Sequence, residues 1–179
     1  MRKNKEGSFR IIAIVFFLTM LIAINWEKWT WMKNGIHSIL DPTLGAMLNW
    51  NLAIGMTIAV FLISLIITLV QKYTTDQEEL KRLKKEQKEI QKKMKEFKDN
   101  PKKMSEIQKE NWPLMIKQFK LGLGTIIYTG IPFVLLFRWF YDFFALIGST
   151  KVLGMHWFLF YFIATLIFSS ILKKKLDVA

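Results

Sequence analysis

Four runs of apolar residues, separated by strongly polar segments, dominate the pattern along this chain. They cover residues 11–24, 52–70, 121–137 and 157–172. A helix needs about 20 predominantly apolar residues to cross the hydrocarbon core of a bilayer. The second run has that length, and the third and fourth reach it when the flanking Phe119, Trp139 and Met155 are counted. The pattern predicts three membrane-spanning core helices, at residues 51–73, 119–140 and 155–173.

The first run is shorter and follows a basic start that contains Arg2, Lys3, Lys5 and Arg10. About fourteen apolar residues behind such a flank are typical of the core of a signal peptide. Cleavage requires small residues two apart after that core, and residues 21–26 offer only Ala23. We therefore expect a retained signal-anchor helix within residues 1–31, and the alternative is a cleaved signal peptide.

Residues 32–50 carry apolar positions at helical spacing, with Asp41 suited to an N-cap and Pro42 to the first helical position. Tryptophans flank the segment on both sides, and this residue is enriched at bilayer interfaces. The pattern predicts an amphipathic helix lying on the outer surface of the membrane. An ordered loop with scattered apolar residues is the alternative.

Residues 74–118 form a polar block between the first two core helices. Residues 74–98 are nearly all Glu, Gln, Lys and Leu, which favour helix. The apolar positions form a seam at spacings of three and four: Leu80, Leu83, Ile90, Met94 and Phe97. Asn100 then suits a cap and Pro101 the start of a second arm that returns to Trp112. We predict an antiparallel coiled-coil hairpin.

Charge determines the expected orientation in the membrane. The formal net charge is +12 although 52% of the residues are hydrophobic, a combination that soluble domains rarely show. Lys and Arg exceed Asp and Glu in residues 1–10, in residues 71–120 and in the tail 174–179, whereas the loops 25–53 and 141–154 are balanced. Because basic loops stay on the cytoplasmic side, we expect a multi-pass cell-membrane protein with its termini and hairpin in the cytoplasm.

The basic residues of the first hairpin arm are candidate contacts for a partner. They are Lys81, Arg82, Lys84, Lys85, Lys88, Lys92, Lys93 and Lys95. Phosphates of anionic lipid headgroups or of ribosomal RNA would complement this charge. The alternative is a solvated face with no partner.

Signatures of catalysis are missing from the sequence. The two histidines, His37 and His156, both fall in predicted outer loops, and cysteine is absent. We find no metalloprotease motif, paired carboxylates or phosphate-binding glycine loop. We therefore expect no enzyme activity, cofactor or metal. Arg138 is expected at the outer interface beside Trp139.

Polar residues inside the three core helices indicate a candidate site. They fall mainly in the predicted cytoplasmic half of the bilayer and comprise Thr57, Ser64, Thr68, Gln71, Gln118, Thr125, Tyr128, Thr129, Thr165 and Ser169. Polar groups at that depth cost free energy unless they meet water or a partner. We predict that they line a shared hydrophilic groove open to the cytoplasm. The alternative is that the hydroxyls bond to their own helices or join neighbouring helices.

In order and spacing, these features resemble the archaeal YidC-like insertases of the YidC/Oxa/Alb superfamily. The resemblance covers residues 41–175 and rests on the sequence KYTTDQ at 72–77, the basic block, NWPLM at 111–115, KQFK at 117–120, Ile131-Pro132 and the lysines that close the last helix. It implies a three-helix core with a hydrophilic groove and a coiled coil that approaches ribosomes or nascent chains. The chain departs from bacterial members in having no arginine at mid-depth, and its first run precedes the core.

The sequence thus predicts an all-α membrane protein with a three-helix core, an N-terminal signal anchor and a cytoplasmic hairpin. We expect a membrane protein insertase or chaperone whose partners are nascent membrane proteins, with the ribosome and anionic lipids as further candidates. A membrane-anchored tether or scaffold is the alternative, followed by a small channel. A channel would need polar residues along the full bilayer depth, and the outer halves of the core helices lack them.

Overall fold

A computed structural model describes residues 9–178, which are almost entirely helical. The chain forms α1 Phe9–Asn25, α2 Thr30–Leu40, a π-helical turn Asp41–Gly45, α3 Ala46–Trp50, α4 Leu52–Thr74, α5 Gln77–Glu96, α6 Pro101–Leu146 and α7 Trp157–Leu176. Between α6 and α7, strands β1 Lys151–Val152 and β2 Met155–His156 pair antiparallel, with Lys151 opposite His156.

Three helices are long and apolar enough to cross a membrane: α4, α6 and α7. They overlap the three predicted core spans, and the expectation of an all-α, multi-pass membrane protein is confirmed. Asn51 is the cap of α4, and Met155 and His156, which were predicted to begin the last span, form β2 instead. α1 and the stretch Thr30–Trp50 meet at an angle of 92°. The two helical segments are long and apolar enough for a fourth crossing only if they form one bent span. The retention of α1 as a signal anchor stays a prediction.

An aromatic core holds the three spans together at the end that carries β1 and β2, called here the strand end. α4 packs against α7 and α6, and the rings of Phe144 and Trp157 stack with centroids 5.2 Å apart. Trp139 and Phe140 are fully buried there. The opposite end, where α5 begins, is called the hairpin end.

The junction between α3 and α4 depends on a glycine. Asn51 caps α4 by accepting a hydrogen bond from the Ile54 amide at 3.0 Å. A Cβ atom on Gly55 would lie 2.6 Å from the carbonyl carbon of Met47. Glycine therefore allows α3 to fold back tightly against the first turn of α4.

α5 and the first part of α6 pack side by side. Leu80 and Leu83 are buried against Leu121 and Leu114 of α6, and Ile90 is also buried. The predicted cap is confirmed: the Asn100 side chain accepts from the Lys103 amide at 3.2 Å and Pro101 begins α6. α6 then runs without a break through Pro113 and Pro132 to Leu146. The coiled-coil geometry and the boundary at residue 118 stay predictions.

The predicted N-cap at Asp41 is wrong. The helix begins at Thr30 and continues through the π-helical turn, in which Pro42 lies inside the helical stretch. Proline has no amide donor and clashes with the preceding turn of a regular α-helix, and a π-turn widens the helix at that point. The Asp41 carboxylate is consequently free to accept a hydrogen bond from Trp139.

Candidate functional site

An open cavity of about 510 Å³ lies between α2, α4 and α6. Its walls are almost wholly apolar and include Ile36, Ile39, Leu40, Leu44, Ala59, Leu62, Ile63, Ile66, Ile67, Val70, Pro132, Phe133, Leu135 and Leu136. Tyr128 and Thr129 are the polar side chains in the lining. Ile66 and Tyr128 are largely exposed, so the cavity opens sideways at the depth of the spans.

The polar stripe of α4 faces elsewhere. At about 100° per residue, Thr57, Ser64, Thr68 and Gln71 share one face that is turned by roughly 130° from the cavity-lining positions. Ser64 and Thr68 are buried within the protein and do not line the cavity. Two features that the sequence analysis combined, the open space and the polar stripe, are therefore separate on α4.

Several of the predicted groove hydroxyls donate to their own helices. Thr57 donates to the Ala53 carbonyl at 2.7 Å, Thr68 to Ser64 at 2.7 Å and Thr129 to Thr125 at 3.0 Å. For these three residues the structure shows the back-bonding that was the alternative to a groove.

A polar contact joins α4 to α6 at the hairpin end. The hydroxyl oxygens of Thr75 and Thr125 are 3.3 Å apart, and Thr75 is buried. Gln77 closes the same turn by donating to the Gln71 carbonyl at 2.8 Å. These contacts place Gln71 and Thr125 at the hairpin end, and Thr129, one turn along α6 from Thr125, lines the cavity.

Three predicted site residues carry buried polar atoms that form no hydrogen bond within residues 9–178. The atoms are Ser64 Oγ, Gln118 Nε2 and Thr165 Oγ1, the last of which lies beside the Tyr161 hydroxyl. Ser64 and Thr165 lie at about the same depth, roughly 15 Å from the hairpin ends of α4 and α7. Ser169 is half-buried one turn further along α7. Buried polar groups in proteins are nearly always paired with protein or with water, so these positions favour hydration or a polar ligand.

The base of the hairpin is fixed by ion pairs. Glu79 accepts from Lys117 at 2.6 Å and from Arg82 at 2.6 Å, and Lys81 pairs with Asp177 at 2.6 Å. The hydrogen bonds from Lys117 and then Arg82 lower the pKa of Glu79 below its ordinary value of 4.5. The other predicted contact lysines are exposed and have no ion pair within the described chain: Lys84, Lys85, Lys88, Lys92, Lys93 and Lys95.

Sequence reasoning missed a polar network at the strand end. The indole of Trp26 donates to Asp142 at 2.7 Å, and that of Trp139 donates to Asp41 at 2.7 Å. His37 lies between the two carboxylates, 3.1 Å from Asp41 and 3.2 Å from Asp142. The only usable signal was that a buried tryptophan needs an acceptor for its N–H.

Arg138 lies beside this network. Its guanidinium is 3.4 Å from Glu27 and stands over the rings of Trp26 and Tyr141. Trp139, the neighbour expected from the sequence, is instead turned into the core. Within residues 9–178, no group of histidine and carboxylate side chains is arranged to hold a metal ion.

The helices and the site define a class, the multi-pass α-helical membrane proteins with a lateral cavity between their spans. Residues 37–156, about two thirds of the chain, match the family described as integral membrane protein EMC3/TMCO1-like. The chain therefore belongs to the EMC3/TMCO1-like family. That family is related to the Oxa1/YidC/Alb3 insertases, which supports the predicted resemblance at superfamily level but not the narrower archaeal YidC-like group. Comparison with curated proteins and with solved structures gives no match.

Proposed function

We propose that this protein promotes the insertion of nascent membrane proteins without catalysing a chemical reaction. The observation that carries the proposal is the lateral cavity between α2, α4 and α6, whose apolar walls end in polar side chains on the hairpin side. An apolar client segment can rest against Leu62 and Ile66 before it enters lipid, because such walls and lipid tails are about equally apolar.

The polar positions support a second part of the proposal. The flank of a client segment has to cross the hydrocarbon, and each unpaired polar group costs several kcal/mol there. Tyr128 and Thr129 are polar side chains of the cavity lining, and Tyr128 is exposed there. Water held at these positions would lower the cost of moving a short polar segment past them.

The charge pattern sets the proposed direction of transport. The basic excess of residues 71–120 favours a cytoplasmic hairpin end, so clients would enter from the cytoplasm. The exposed lysines of α5 are suited to nascent chains on ribosomes or to anionic lipid. A plain tether has no use for a cavity at the depth of the spans.

Site-specific photo-crosslinking tests the cavity directly. A photoreactive residue at Ile66 in α4 should crosslink to a ribosome-bound client, and one at Ile167 in α7 should not. The two isoleucines are matched controls because both lie within spans and are 60% and 54% exposed, but only Ile66 lines the cavity. Equal crosslinking from both positions, or none from Ile66, would contradict the proposed client path.

A further inference from the structure

α2 is the wall of the lateral cavity that is least embedded in the protein. Within Thr30–Leu40 no residue is buried, whereas the other two walls, α4 and α6, both contain buried residues. The cavity-lining residues of α2 are Ile36, Ile39 and Leu40. Segments with few buried apolar contacts open most easily in a folded protein. Of the three walls, α2 is therefore the one that can move at the lowest cost.

His37 ties the second half of α2 to α6. Its Nε2 atom lies 3.2 Å from Asp142 of α6, and its Nδ1 atom lies 3.1 Å from Asp41 in the π-helical turn. The side chains of His37 and Asp142 are only 24% and 14% exposed, so their contact is largely shielded from solvent. Lys33 also approaches Asp142, at 3.3 Å, but it forms a shorter ion pair with Glu27 at 2.7 Å.

The two contacts of His37 require a protonated ring. Carboxylate oxygens accept hydrogen bonds, and a neutral imidazole has one N–H donor and one lone pair. Because both ring nitrogens face carboxylates, both contacts are hydrogen bonds only in the imidazolium form. The charges also balance in that form, as three cations and three anions. The ion pairs run from Arg138 to Glu27, Lys33, Asp142, His37 and Asp41 in turn.

We propose that α2 is a lid at the strand end of the lateral cavity, latched to Asp142 of α6 by the protonated His37. At low pH the latch holds Ile36 and Leu40 against the aromatic core. Histidine side chains change charge between about pH 5 and pH 8, and a ring that has lost one proton keeps only one of its two donors. α2 is then released and bends at the π-helical turn Asp41–Gly45, a type of irregularity that is frequent at functional sites.

Release of α2 widens the cavity at the strand end. That this widening regulates the entry of client segments rests on the proposed function, whereas the latch itself is tested without a client. Asp142 keeps the hydrogen bond from Trp26 and the ion pair with Lys33 when the ring is neutral, so the rest of the network stays in place.

Pulsed electron paramagnetic resonance on the full chain in lipid nanodiscs measures the position of α2. The sequence contains no cysteine, so spin labels attach only at introduced cysteines. Labels at the exposed Ser38 of α2 and Leu166 of α7 report movement of the lid. The ratio of released to latched α2 should rise roughly tenfold from about pH 5.5 to about pH 8.5, since a shielded hydrogen bond between charged groups is of that strength. Labels at Ala145 of α6 and Leu166 are the control pair, and their distance should not change.

Two substitutions of His37 should have opposite effects. His37→Gln should leave α2 released at both pH values. His37→Arg should keep it latched at both, because arginine retains its charge and donates from several nitrogens. The matched control is His156→Gln, since His156 is exposed and is the other histidine of the sequence. This control should keep the wild-type pH response.

An unchanged distance in the wild-type chain, an undiminished pH response in His37→Gln, or loss of the response in His156→Gln would overturn the proposal. Release of α2 in His37→Arg at both pH values would also overturn it, because charge would then not hold the lid. The wild-type and His37→Arg measurements decide the matter even if His37→Gln does not fold. Crosslinking of clients from Ile66 is measured separately, so failure of the latch and failure of the proposed function are told apart.

Discussion

At the scale of single residues, the structure depends on contacts that join distant parts of the chain. Gly55 is one of them, because any β-carbon there would overlap the backbone of Met47 and Leu48. Backbone cannot move aside as a flexible side chain can, so Gly55→Ala should destabilise the fold by about 2 kcal/mol or more.

Thermal unfolding in detergent measures this effect. Gly122→Ala in α6 is the control, because a β-carbon at that position would have no neighbouring atom within 4 Å. Alanine favours helix over glycine, so the control should be neutral or slightly stabilising. Equal melting temperatures for the two variants would show that the α3–α4 contact is looser than the structure indicates.

Asp142 and Asp41 provide a second comparison at this scale. Asp142 is 14% exposed and accepts from Trp26, His37 and Lys33, whereas Asp41 is 55% exposed. Hydrogen bonds to charged groups contribute about 1.5–3 kcal/mol when shielded from water. Asp142→Asn should therefore lower the free energy of unfolding by about that amount, and Asp41→Asn by less. Equal losses in denaturant titrations would mean that burial does not set the strength of this network.

Which residue contacts could be predicted depended on sequence separation. The Asn100 cap was predictable because the cap and its partner Lys103 are three residues apart. The Trp26–Asp142 and Trp139–Asp41 bonds join residues 116 and 98 positions apart, and no local pattern specifies such pairs. The N-cap predicted at Asp41 failed because the helical stretch begins at Thr30 and continues past Pro42 in a π-helical turn.

At the scale of elements, length and apolar content were sufficient to locate α4, α6 and α7. They could not show which face of each helix meets its neighbour. The polar stripe of α4 was correctly seen as one helical face, yet the helices pack so that Ser64 and Thr68 are buried while Ile66 lines the open cavity. α6 also continues through Pro113, where composition alone suggested the end of the hairpin.

The attachment of α5 to α6 should depend on pH. Lys117 and Arg82 lower the folded-state pKa of Glu79. The ionised Glu79 side chain therefore stabilises the contact between α5 and α6 above pH 4.5, and this stabilisation is lost as the pH falls below that value. Hydrogen exchange, corrected for its intrinsic pH dependence, should show weaker protection of the first turns of α5 at about pH 3.5 than at about pH 6.

The Glu79→Gln variant should show weak hydrogen-exchange protection of the first turns of α5 already at about pH 6. Glu89 is an exposed residue of the same helix, and the Glu89→Gln variant should behave as wild type. Protection that is unchanged by Glu79→Gln would mean that the apolar contacts of Leu80 and Leu83 hold the hairpin base by themselves.

At the scale of the whole molecule, the central claim is that the lateral cavity receives client segments. Filling the cavity tests this claim most directly. The double variant Leu62→Trp with Ile66→Trp narrows the cavity. The control, Phe162→Trp with Ile167→Trp, adds two tryptophans at exposed positions of α7. The measurement is insertion of a client with a short charged translocated segment into vesicles containing each variant, paired with its melting temperature. We expect the cavity variant to lose insertion at least about tenfold with an unchanged melting temperature, and the α7 variant to insert normally. Normal insertion by a folded, cavity-filled variant would contradict the account.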